Sequence, residues 1–136
     1  MTGAQGNRTL ARVYAIVTGA TVVLIGIGGL VLGNESLFGV LNIDRAEDAI
    51  HLLSGGALLA AGLLARDERV VRGVVGVVGV AYLTVGLLGF VAPRLFGLVP
   101  HGYDTVLDNL IHLTLGVLGV AIGFVMSPRS APSTVR

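Results

Sequence analysis

Two carboxylate and histidine pairs, each four residues apart, are the side chains in this sequence best placed for chemistry: Glu47 with His51, and Asp108 with His112. An i, i+4 spacing sets both members of a pair on one face of a helix. Together the two imidazoles and two carboxylates make a donor set suited to zinc or a related divalent cation. A b-type haem held between His51 and His112 is another arrangement that facing helices can supply, with Gly55 and Gly116 one turn below leaving space for the ring. Proton or ion movement is a third, since imidazole titrates in the useful range. No charge lies in the middle of an apolar run to continue such a path. The plainest role is structural. A carboxylate in a first helical turn is favoured by the macrodipole and can bond the imidazole one turn on, so that each histidine fixes how its helix docks. The structural role ranks first. No nucleophile, general base or oxyanion donor stands out, and the chain has no cysteine to supply a thiolate.

The elements that must position these groups follow from composition. Of 136 residues, 54% are hydrophobic and 12% charged, and mean hydropathy is +0.88. A soluble globule of that make-up lacks the polar surface to cover itself, so the expected partner is a lipid bilayer. A net charge of +1 leaves no electrostatic footprint for nucleic acid. The expected fold is an all-α membrane protein with four transmembrane helices at about 13–33, 45–65, 73–92 and 106–126, since about 20 apolar residues cross a hydrocarbon core. These form one four-span domain, 1–126, followed by a disordered cytoplasmic tail, 127–136, that contains Pro128 and Pro132. Arg8 and Arg12 before the first apolar run resemble the start of a signal peptide. The run, 13 to 33, exceeds an h-region of roughly 7 to 15 residues and has no Ala-x-Ala exit, and is read as a span. Asp44-Arg45-Ala46-Glu47 has the spacing of a capping box, and Thr105 to Asp108 repeats it in weaker form. Arg66 to Arg72 reads as a short charged turn between antiparallel neighbours.

The chain also carries itself twice. Glu47, Asp48, Ile50, His51, Leu52, Gly55 and Gly62 correspond to Asp108, Asn109, Ile111, His112, Leu113, Gly116 and Gly123, 61 residues on (47 to 108, 51 to 112). Gly19, Gly26 and Gly29 correspond to Gly79, Gly86 and Gly89 at a spacing of 60 (19 to 79). The expected repeats are hairpins at about 12–66 and 72–126. Two spans per repeat give both copies the same orientation, related by an axis along the membrane normal. Arg8, Arg12, Arg66, Arg69, Arg72, Arg129 and Arg136 fall on one side of the spans, and only Arg45 and Arg94 on the other. The positive-inside rule therefore puts both termini in the cytoplasm.

Glycine spacing predicts the packing faces, because helices in lipid associate where small residues let backbones approach. One face of the second helix carries Glu47, His51, Gly55, Leu58 and Gly62, and one face of the fourth carries Asp108, His112, Gly116, Gly119 and Gly123. The first and third show Gly19, Val22, Gly26, Gly29, Gly33 and Gly79, Tyr82, Gly86, Gly89, Pro93. These stripes are expected to meet at the bundle axis, bringing His51 and His112 inward at equivalent depths. Tyr82 is expected to pack against glycine. Tyr14 is expected to anchor at the cytoplasmic interface, and Phe38 and Phe96 at the outer one.

At this level the sequence resembles a family. Gly-Phe-Val at Gly89 to Val91, Leu-Phe-Gly at Leu95 to Gly97, and Asp-Asn-x-x-His-Leu leading into Gly-Val-Leu-Gly from Asp108 to Gly119 are similar to small bacterial membrane proteins of domain of unknown function family 4383. The first half shows Leu-Phe-Gly at Leu37 to Gly39 and His-Leu-Leu-x-Gly from His51 to Gly55. It departs at Asp48-Ala49, where the family tends to carry asparagine or histidine. The resemblance implies four spans and lends no activity. The expected function is that of a non-enzymatic structural, interaction or accessory protein of the bacterial inner membrane, with a membrane-protein partner or a homo-oligomer. The alternative is an ion-, metal- or ligand-binding protein using Glu47, His51, Asp108 and His112.

Overall fold

A computed structural model describes residues 3–32, 41, 44–92 and 106–126, with side-chain surroundings given from residue 10 onward. The described chain is all-helical: α1 (Gly3–Leu32), α2 (Arg45–Leu64), α3 (Glu68–Val91) and α4 (Val106–Val120), the last running on as a π-helical turn, Ala121–Val125. All four helices, with the π turn counted in the last, are long and apolar enough to cross a membrane, by length and composition. The Leu-Phe-Gly segments, Thr105, Gly33, Pro93, and the tail expected over 127–136 lie outside the described residues.

Local chemistry explains the helix ends. Asp44, extended at φ −139° and ψ 143°, caps α2 by accepting from the Ala46 amide at 2.8 Å. Glu47 and Asp48 then fall in the first turn, at the positive end of the helix dipole. The chain leaves α2 at Ala65, and Asp67 caps α3 by accepting from the Arg69 amide at 2.9 Å. The turn is therefore shorter than the charges suggest. The charge run places the connection at Arg66 to Arg72 and the span from 73, whereas α3 begins at Glu68. An aspartate N-cap followed by a glutamate is a helix start, and it outweighs the run of charges. At the far end α3 stops at Val91, with Ala92 turned away from helical geometry at φ −137° and ψ 69°, because a residue before proline is driven out of the α region. The first helix likewise starts at Gly3, ten residues ahead of the apolar run.

Glycine faces zip each hairpin. A Cβ on Gly19 would stand 2.8 Å from the Gly55 carbonyl oxygen, and one on Gly55 would stand 2.9 Å from the Gly19 oxygen. In the second hairpin a Cβ on Gly119 would meet the Gly79 Cα at 2.8 Å, and one on Gly116 would strike the Leu83 backbone. Gly62 lies against Ile16, Gly123 against Gly76, Gly26 against the turn that carries Asp48 and His51, and Gly86 against Asn109 and Leu113. Gly29 is covered by the Asp48 side chain and Gly89 by that of Asn109. The stripes thus pair α1 with α2 and α3 with α4, instead of gathering all four helices on one axis. A stripe can be shared closely with one neighbour, and contact between hairpins is made by larger side chains, among them His51, Tyr82 and His112.

Each hairpin is closed at its arginine-bearing end by an arginine on its first helix. Arg12 donates to the Gly62 and Ala65 carbonyls at 2.7 and 2.9 Å, and Arg72 to those of Gly123 and Met126 at 3.1 and 2.9 Å. The last carbonyls of a helix have no partner inside it, and a cation there also meets the negative end of the dipole. At the same end lies a small aliphatic cluster of Ala11, Ala15, Leu58, Val71, Val75 and Ile122. The outward faces are apolar, with Leu24, Leu53, Val77 and Val117 all more than half exposed.

Candidate functional site

Where the hairpins meet at the opposite end, the structure gathers polar side chains. Glu47 and His51 come from α2, Asp108 and His112 from α4, and Tyr82 from α3, all buried. They point inward because they share the faces that the glycines press against neighbouring helices. Glycine at 26 admits the backbone turn of Asp48 and His51, and glycine at 86 admits that of Asn109. The imidazoles stand face to face, their centroids 5.8 Å apart and their planes 9° from parallel. Tyr82 meets both edge-on, with centroids 6.4 Å from His51 and 5.4 Å from His112.

Hydrogen bonds fix the orientations. His112 Nδ1 lies 3.0 Å from the Asp108 carbonyl oxygen. A carbonyl only accepts, so Nδ1 carries the proton and Nε2 of a neutral ring keeps its lone pair. The Asp108 carboxylate is 3.8 Å from the same nitrogen. Ser54 donates to the Ile50 carbonyl at 2.7 Å, which makes the Tyr82 hydroxyl the donor in its 2.9 Å contact with the Ser54 oxygen. His51 Nδ1 has no hydrogen-bond partner among the described residues. Ligand atoms of Glu47, His51 and His112 all lie within 4.8 Å of one another. Asp108 is not in that group and stands behind His112 instead.

The haem arrangement does not fit this packing. The two rings face each other directly, and Gly55 and Gly116, expected to leave a slot, are closed by Gly19 with Val23 and by Leu83. Tyr14 is also placed differently from the interfacial anchor expected of it. Its hydroxyl donates to the Leu115 carbonyl at 2.7 Å and ties α1 to α4. The remaining candidate packing residues, Gly26, Gly29, Gly62, Gly86, Gly89, Gly119 and Gly123, are all buried on the faces described above.

Four residues carry more than sequence reasoning assigned them. Arg12 and Arg72 count there only as topology signals, yet each lies seven residues before a stripe glycine, Gly19 or Gly79, and so on the same helical face. That register is the signal that points them inward. Tyr82 stands on the glycine stripe of α3, and its contacts with both histidines depend on how the hairpins dock. Ser54 had no sequence signal, because serine inside a helix commonly bonds its own backbone.

Residues 2–64 match the family model described as Domain of unknown function (DUF4383), the family the sequence resembles. The match spans the first hairpin, while the motifs from Gly89 to Gly119 lie beyond it. Comparison with curated proteins and with solved structures finds no match.

Proposed function

We propose that this chain, carrying a domain of unknown function over residues 2–64, is a multi-pass protein of the bacterial inner membrane that acts as a structural or accessory subunit, without catalysis. Its two hairpins are tandem copies in the same orientation, and both termini face the cytoplasm. Support for duplication comes from the contacts, which recur at the sequence offsets: Arg12 with Gly62 and Ala65 becomes Arg72 with Gly123 and Met126. Gly29 under Asp48 becomes Gly89 under Asn109. Support for the orientation comes from the arginines, which cluster where α1 and α3 begin and where α2 ends.

One observation carries the functional reading. Arg12, Arg72 and the glycine faces are engaged in holding the helices together, whereas the exposed faces of all four helices are apolar. A chain so built offers its surroundings a lipid-compatible surface through which to dock, onto another membrane protein or onto a second copy. Cross-linking in native membranes, followed by purification of the full chain, tests this. A defined, stoichiometric species containing a second copy or one other membrane protein is expected. Recovery of the chain only as a monomer without cross-linked partners contradicts it.

A further inference from the structure

We propose that Glu47, His51 and His112 form a binding site for one divalent cation of the zinc class. Their ligand atoms lie within 4.8 Å of one another, and all three side chains are buried. Two imidazole nitrogens with one carboxylate suit zinc and its neighbours among the transition metals, whereas calcium and magnesium take oxygen ligands. A tetrahedral site with ligands about 2.0–2.1 Å from the ion spaces them roughly 3.4 Å apart, so closing the set draws the ligand atoms together and turns at least one of the two parallel imidazoles until both ring planes meet at the ion.

Two further observations point the same way. His51 Nδ1 is enclosed without a hydrogen-bond partner, on a side chain only 7% exposed. Leaving a buried imidazole nitrogen in that state costs free energy that a bound cation would recover. His112 donates its Nδ1 proton to the Asp108 carbonyl at 3.0 Å, which fixes the tautomer and leaves Nε2 as the lone-pair donor. Metal-bound histidines are commonly held by such an outer hydrogen bond. The main-chain carbonyl of Asp108 therefore orients His112, and the Asp108 carboxylate lies outside the ligand group. The site lies near the first turns of α2 and α4, at the end of the bundle away from Arg12 and Arg72. It does not depend on which side of the membrane that end faces, nor on the accessory role proposed above.

The test uses the full chain in detergent, stripped with chelator and titrated with Zn²⁺ by calorimetry and with Co²⁺ by absorption. One equivalent of each ion should bind, and Co²⁺ should develop the intense ligand-field bands of a low-coordinate site. Glu47→Gln and His51→Gln should each weaken binding about tenfold or more, whereas His101→Gln, which changes the one histidine outside the group, should not. Absence of saturable binding to the wild type overturns the proposal, as does binding by E47Q and H51Q as tight as that of the wild type. If H51Q fails to fold, E47Q decides. If both fail, the wild-type Co²⁺ spectrum decides, and weak bands of six-coordinate water-like Co²⁺ refute the site.

Discussion

Arg72 shows how one cation can be kept inside a bundle whose outer faces are apolar. It is 7% exposed, and its guanidinium donates to two carbonyls at the end of the neighbouring helix. Bonds of this charge-assisted kind contribute about 1.5–3 kcal/mol each, and more is lost when a buried partner is left without its donor. Arg72→Met should therefore lower the stability of the detergent-solubilised chain by about 2–3 kcal/mol, read as a fall in unfolding midpoint. Glu68→Gln provides the contrast. Its contact with Arg12 is 3.3 Å long and partly exposed on both sides, and an ion pair of that kind is worth under about 1 kcal/mol. Equal losses in the two variants would contradict this account of the arginines. The types and depths of Glu47, His51, Asp108 and His112 were legible in the sequence, because they share a helical face with glycines. The stacking of the histidines and the edgewise Tyr82 were not, since they depend on how one hairpin sits against the other.

Among the helices, closeness is set by where side chains are missing. Gly55 and Gly116 each face a neighbouring backbone, so Gly55→Ala and Gly116→Ala must push α1 from α2 and α3 from α4. Overpacking of this kind costs about 1–3 kcal/mol. Gly28 and Gly56 meet nothing within 4 Å, and alanine there gains helix propensity of up to about 1 kcal/mol. Thermal unfolding in one detergent should rank the two pairs in opposite directions. Destabilisation by all four changes to the same extent would mean that the glycines act through something other than contact. The existence of the four helices was plain from hydropathy, and α2 from its Asp44 cap. The start of α3 is obscured in the sequence by its charges: Asp67 and Glu68 open a helix whose first turns carry Arg69 and Arg72. The pairing of the glycine stripes within hairpins was also not legible. Periodicity tells which face is small, but not which neighbour it meets, and the contact between hairpins runs instead through the larger Tyr82, His51 and His112.

At the scale of the molecule, two hairpins of like construction stand side by side, each closed by an arginine at one end, with a histidine pair bridging them at the other. In the topology proposed above, both cross the membrane in the same sense, with the arginine-bearing end in the cytoplasm. The chain has no cysteine, so single cysteines can be placed and probed in intact cells with a membrane-impermeant maleimide. Glu35→Cys and His101→Cys, after the first and third spans, should both be labelled from outside. Arg66→Cys and Ser130→Cys should be labelled only once the membrane is broken. Labelling of Glu35→Cys and His101→Cys from opposite sides, or of Arg66→Cys in intact cells, would contradict the account.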